Sequence, residues 1–175
     1  MEKKKLLVSQ ELTTSEELME KIMEFEGCRL EAYRDAAGVL TIGYGHTKEV
    51  REGDRISEYW ARELLKEDIE RATKQVMKLG VCHTVGQLDA LVSFTFNLGF
   101  QRLRKSTLLK VIKRQGSAAD IKREFKRWVY AGGKRLKGLE RRREWEAARF
   151  LDSPPDPSLS KRGEMKRGKP AARKI

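Results

Sequence analysis

Apolar residues recur at helical spacing along most of this chain and give way to a β-rich, glycine-punctuated pattern in one short stretch. Leu18, Ile22 and Phe25 share one helical face. Ahead of them, Thr14-Ser15-Glu16-Glu17 reads as a capping box with Thr14 as N-cap and Glu17 reaching back. Gly27 stops that helix, which puts Glu26 in its last turn. From Arg29 the period changes. Leu30, Ala32 and Tyr33 lead into a turn at 34–38, and Val39 to His46 is β-rich, so a small hairpin is expected, with a third strand near Val50 and a close at Gly53-Asp54.

Ser57 then caps a long helix ending near Gly80, with Trp60, Leu64, Leu65, Ile69, Ala72, Val76 and Leu79 as its apolar stripe. A second capping box, Thr84-Val85-Gly86-Gln87, opens the most apolar segment, running through Leu88, Leu91, Val92, Phe94, Phe96 and Leu98. Apolar groups on most of its sides predict a buried central helix with a left-handed exit at Asn97-Leu98-Gly99. Shorter helices are expected over 106–115, 117–130 and 138–151. The proline-rich stretch from Asp152 to Pro157 ends the domain, and the basic, polar residues of 152–175 read as a disordered tail, as 1–13 read as a flexible start. The fold class is thus α+β: a small β lobe (14–56), a connecting helix (57–80) and a larger helical lobe (81–151), with a cleft between lobes where ligands bind.

Composition adds a charge problem to this layout. The chain carries a formal net charge of +12. The tail 152–175 holds seven Lys/Arg and three Asp/Glu, so +8 remains on the body. Such a surface attracts polyanions, whether nucleic acid, an acidic cell wall or anionic lipid, without choosing among them. No run of about 18 apolar residues suggests a membrane span, and the three apolar residues after Lys3-Lys4-Lys5 are too few for a signal peptide. A monomer made in a cytoplasm, with no encoded export route, is expected. Cys28 and Cys82 are too few for a disulfide framework, and with His46 and His83 they make a poor zinc site; no metal or cofactor is expected.

The candidate chemistry lies in the first fifty residues. Hydrolysis of a glycosidic bond needs one protonated carboxyl to feed the leaving oxygen and one ionised carboxylate on the other side. Glu26 faces the negative end of its helix dipole, which favours a protonated acid. Asp35, in an open turn, is the carboxylate, and the Thr41 hydroxyl can hold a water near it. By spacing alone, a Glu and an Asp near a hairpin are usually just surface charges.

The segment from Phe25 to Thr47, with Glu26, eight residues, Asp35, five residues and Thr41, resembles the active-site signature of the phage lysozymes, or endolysins. Two further stretches resemble the same family: Asp89 to Gly99, and Trp128 through Ala131-Gly132-Gly133-Lys134 and Gly138-Leu139 to Arg141-Arg142-Arg143-Glu144. Together the matches span about 18–151. The resemblance implies a lysozyme-like fold and a muramidase that cleaves the β-1,4 bond between N-acetylmuramic acid and N-acetylglucosamine in peptidoglycan. It also implies inversion, with Asp35 as base for a water, and release to the wall through a separate holin-type membrane lesion. Cys28 stands where the family commonly has Leu.

Tyr33, Gly45, Phe96, Asn97, Ser106 and Thr107 are candidate substrate-binding residues, each with a packing or capping role as its alternative. His46 is expected to pair with Asp68, and at least one of Arg141-Arg142-Arg143 to ion-pair within the fold. The basic tail suggests electrostatic contact with an anionic wall or membrane. A basic nucleic-acid-binding helical domain is the main rival reading, though no helix presents a clean recognition face. A non-hydrolytic wall-binding module and a lytic transglycosylase are variants of the same fold.

Overall fold

The computed structural model describes residues 12–152, so most of the start expected to be flexible over 1–13, and all of the expected tail but Asp152, lie outside the described residues. Leu18 and Ile22, one turn apart and fully buried, set the inner face of α1 (Glu16–Glu26). Its N-cap is Ser15 rather than Thr14. The Ser15 hydroxyl accepts from Leu18 N at 3.2 Å and donates to Asp89 Oδ2 at 2.6 Å, while Ser15 N donates to Asp89 Oδ1 at 2.9 Å. Both residues are good caps by type, and a tertiary partner selects between them. The helix ends where Gly27 turns out at φ +67°.

β1 (Arg29–Arg34) and β2 (Leu40–Gly43) form an antiparallel hairpin with Arg34 opposite Leu40 and Tyr33 opposite Thr41; the register shifts before Arg29 meets Gly43. The chain meets the open edge of β1 at 54–56, not near Val50. Ala32 N donates to Asp54 O and Ile56 N to Leu30 O, both at 2.9 Å, with one isolated bridge between Glu31 and Arg55. The reason is the intervening turn, closed by Arg51 N on Asp54 Oδ2 at 2.7 Å, which must be completed before the backbone can lie along β1.

α2 (Glu58–Met77) buries Ala61, Leu65, Ile69, Ala72 and Val76. Trp60, expected in that stripe, is 58% exposed. Ala61 takes the inward position because β2 packs closely there: a β-carbon at Gly43 would stand 3.4 Å from the Ala61 methyl. α3 (Val85–Leu98) is buried along most of its length and packs against α1, α2 and two later helices. Its N-cap Thr84 accepts from Gln87 N at 3.1 Å, and Gln87 Oε1 reaches back to His83 N at 2.8 Å.

The remaining helices are α4 (Phe100–Lys105), α5 (Thr107–Lys113), α6 (Ala118–Lys126) and α7 (Lys137–Asp152). α4 is additional to the expected set. The helix expected over 117–130 stops at Lys126, and the chain instead makes a tight hairpin, β3 (Tyr130–Ala131) and β4 (Lys134–Arg135). Gly132 and Gly133 both take positive φ, +56° and +76°, the conformation a two-residue hairpin loop needs. α3 and α7 lie side by side at the centre, with Leu88, Leu91, Phe94, Phe125, Ala147 and Phe150 in the core around them.

Candidate active site

Glu26 is the last residue of α1, and its side chain is one-quarter exposed. Oε1 accepts a hydrogen bond from Arg142 Nη1 on α7. Oε2 faces the segment after β2: a β-carbon on Gly45 would lie 4.0 Å from Glu26 Oε2 and 4.0 Å from Phe96 Cε1. Gly45 has φ +96°, so the chain passes beside the carboxyl with neither a side chain nor a backbone penalty. Arg142 is only 3% exposed. Its guanidinium lies 5.2 Å from the Phe25 ring centroid and 6.0 Å from that of Phe96, and it also donates to Ser93 Oγ at 3.2 Å and Ser93 O at 3.1 Å. This fork orients one Glu26 oxygen and leaves the other turned toward Gly45.

The hairpin carries the other two candidates. Asp35 Oδ1 accepts from Ala37 N at 2.9 Å and Val39 N at 2.8 Å, so the side chain is pinned by the turn it caps. Its Oδ2 has no protein donor among the described residues. Thr41 is buried, and its hydroxyl donates to Val39 O at 3.0 Å, which leaves its lone pairs as acceptors. Tyr33, opposite Thr41, stacks under the Arg29 guanidinium at 4.3 Å. His46 pairs through Nδ1 with Asp68 Oδ2 at 2.8 Å and through Nε2 with Lys48 O at 2.9 Å, so both ring nitrogens have structural partners.

The structure brings Glu26, Gly45 and Phe96 together, and it sets Asp35, Thr41 and Tyr33 on the adjoining hairpin. Asn97 Oδ1 accepts from Arg143 Nη2 at 2.9 Å and so supports the buried charges. Ser106 is buried as the N-cap of α5, its hydroxyl accepting from Leu109 N at 3.0 Å and donating to Leu103 O at 2.7 Å. Thr107 is exposed and borders a depression with Gln101, Arg102, Lys105 and Trp128.

The internal ion pair expected of at least one of Arg141-Arg142-Arg143 is present at both Arg142 and Arg143, but its partners behind Glu26, Ser93 and Glu146, were not named from the sequence. Ser93 Oγ donates to Glu146 Oε1 at 2.7 Å, and Glu146 also takes Arg143 Nη2 at 3.0 Å; Arg143 and Glu146 have no exposed side-chain surface. Burial lowers Arg143 to about 10, so it still carries its charge at neutral pH. Burial is the larger influence on Glu146 and raises its carboxyl above the usual carboxylate range, against the downward pull of Arg143 and Arg142. The available signal was a run of arginines three and four residues before a glutamate on one helix. Their partner Glu26, 116 residues away, gave none.

The family described as phage lysozyme matches residues 23–146. The endolysin of Acyrthosiphon pisum secondary endosymbiont phage 1 is 40% identical over 141 residues, covering 78% of this chain and 96% of that protein. The SAR-endolysin of Bacteriophage PS119 is 40% identical over 125 residues, covering 69% and 73%. Among solved structures, the muramidase domain of SpmX from Asticaccaulis excentricus superposes with a TM-score of 0.73 at 33% identity, covering 81% of this chain and 99% of that one.

Proposed function

The chain belongs to the phage lysozyme family of peptidoglycan-lysing enzymes, and on that premise we propose that it hydrolyses the β-1,4 bond between N-acetylmuramic acid and N-acetylglucosamine with Glu26 as the acid. The observation that carries this reading is the free Glu26 Oε2, turned toward Gly45 on the segment that continues the Thr41 strand. In this mechanism Glu26 Oε2 gives its proton to the leaving glycosidic oxygen. A water donates one proton toward Asp35 Oδ2 and the other to Thr41 Oγ1, whose own hydrogen is already on Val39 O. That orientation leaves a water lone pair for the anomeric carbon, and Asp35 takes the proton as the bond forms. Two backbone donors on Oδ1 hold Asp35 still during the transfer. Tyr33, Gly45, Phe96 and Thr107 are the residues from which sugar contacts are expected. The body's excess positive charge would speed encounter with wall carboxylates. Among the described residues no helix is long and apolar enough to cross a membrane. From the family, not from that observation, we assign access to the wall to a separate membrane-permeabilising protein.

The test is clearing of purified peptidoglycan by the wild type and by Glu26→Gln, with mass and anomer analysis of the products. The variant should lose about a thousandfold in rate, and the wild type should release reducing ends, first as the α-anomer. Retention of more than about a tenth of the activity by Glu26→Gln would remove the acid from this scheme. Anhydro-muramic ends would replace hydrolysis with transglycosylation.

A further inference from the structure

We propose that Glu146, buried behind Arg142, is a positioning residue for Glu26: by sharing the Arg142 charge it sets the pH range over which Glu26 holds the proton it must donate. This rests on the reading of Glu26 as the acid.

The geometry is a chain of contacts across three helices. Arg142 Nη1 holds Glu26 Oε1, and on its other side Arg142 Nε lies 3.2 Å from Ser93 Oγ and 3.4 Å from Glu146 Oε1. Ser93 Oγ accepts from Arg142 and donates its own proton to Glu146 at 2.7 Å. Arg143 closes the far side, with Nε 2.9 Å from Glu146 Oε2. Two buried guanidiniums flank Glu146, and a neutral carboxyl there would leave one of those cations without a buried anion, so their charges oppose the upward push of burial and favour the carboxylate.

The charged groups that face Glu146 are Arg142 and Arg143 on its own helix, with Glu26 reaching in from α1 through Arg142; α3 contributes the neutral Ser93, and its Asn97 accepts from Arg143. With all four ionised, two cations balance two anions. Neutralising Glu146 leaves two guanidiniums facing Glu26 alone. Both the lost like charge and the unshared arginine then favour ionised Glu26, the wrong form for an acid. Removing Arg143 does the reverse, because Glu146 then draws Arg142 away from Glu26. A glutamate that only filled space would have neither effect.

The test compares kcat and KM as functions of pH on soluble glycan fragments. Glu146→Gln keeps the shape and removes the charge. It should move the alkaline limb of kcat about one pH unit lower, with KM changed by less than about twofold. Glu146→Asp keeps the charge and should leave the limb in place, even where its Tm falls. Arg143→Gln should move the limb higher, and it carries the test if Glu146→Gln does not fold. A limb unmoved in folded Glu146→Gln, one shifted equally by Asp and Gln, or one moved lower in Arg143→Gln overturns the proposal. Glu26→Gln separates the two readings. If it stays active, the acid assignment fails and this inference with it. If it is inactive while the limb ignores Glu146, only this inference fails.

Discussion

Asp89→Asn is the change that most directly links the stability of this fold to its site. Asp89 is fully buried on α3 and accepts four hydrogen bonds: Ser15 N at 2.9 Å, Ser15 Oγ at 2.6 Å, and Arg149 Nη2 and Nε at 2.8 and 3.1 Å. It therefore holds the N-cap of α1 to α3 and α7. An asparagine has one acceptor oxygen where the carboxylate has two, so whichever way the amide turns, an N–H₂ faces a donor. Arg149 also loses its buried anion. A hydrogen bond to a charged group is worth about 1.5–3 kcal/mol, and breaking a buried pair costs about 3–5 kcal/mol. Arg149 is 24% exposed and keeps Glu17 Oε2 at 3.0 Å, which reduces that penalty. The expected loss is about 2–4 kcal/mol, or a fall of about 5–15 °C in Tm for a domain of this size. Urea unfolding should give a lower midpoint with an unchanged m-value, and hydrogen exchange should quicken in the first turn of α1. Glu26 sits at the other end of that helix under its own clamp from Arg142, so activity at low temperature should fall far less than stability. A loss below about 1 kcal/mol would refute the assignment of Asp89 as the anchor of α1.

Gly45→Ala and Gly53→Ala form a matched pair, because both glycines have positive φ, +96° and +86°, but only Gly45 lies by Glu26 and Phe96. Each should cost about 1–2 kcal/mol in thermal unfolding, and only Gly45→Ala should raise KM on peptidoglycan; equal KM values would take Gly45 off the substrate path. Burial holds the Cys82 thiol up at about 12, above its value in the unfolded chain. Its protonated form thus contributes stability that is complete below about pH 8.5 and is lost as pH rises toward 12. Cys82→Ala should make the alkaline fall of the urea midpoint shallower, and an identical slope would show that another group causes it.

Local chemistry along the chain determined much of this protein. The apolar spacing marks α1, α2 and the buried α3, because burying one face requires that period whatever the partner. Gly27 and Gly45 mark places where the backbone must take positive φ. The spacing of Glu26, Asp35 and Thr41 took its meaning from a family resemblance, and the expected pairing of His46 with Asp68 is present at 2.8 Å. Selections between locally equal options were not legible. Ser15 caps α1 because Asp89 waits on another helix, Trp60 turns outward because β2 leaves room only for Ala61, and the glycines at 132–133 end α6 early by favouring a hairpin. The charge behind Glu26 was least visible of all. Arginines three and four residues before a glutamate signal an ion pair on a helix surface, where solvent weakens it. Only tertiary packing removes that solvent, places Ser93 between the charges and aims the spare end of Arg142 at Glu26, since the energy of a charge depends on its surroundings and those surroundings come from distant parts of the chain.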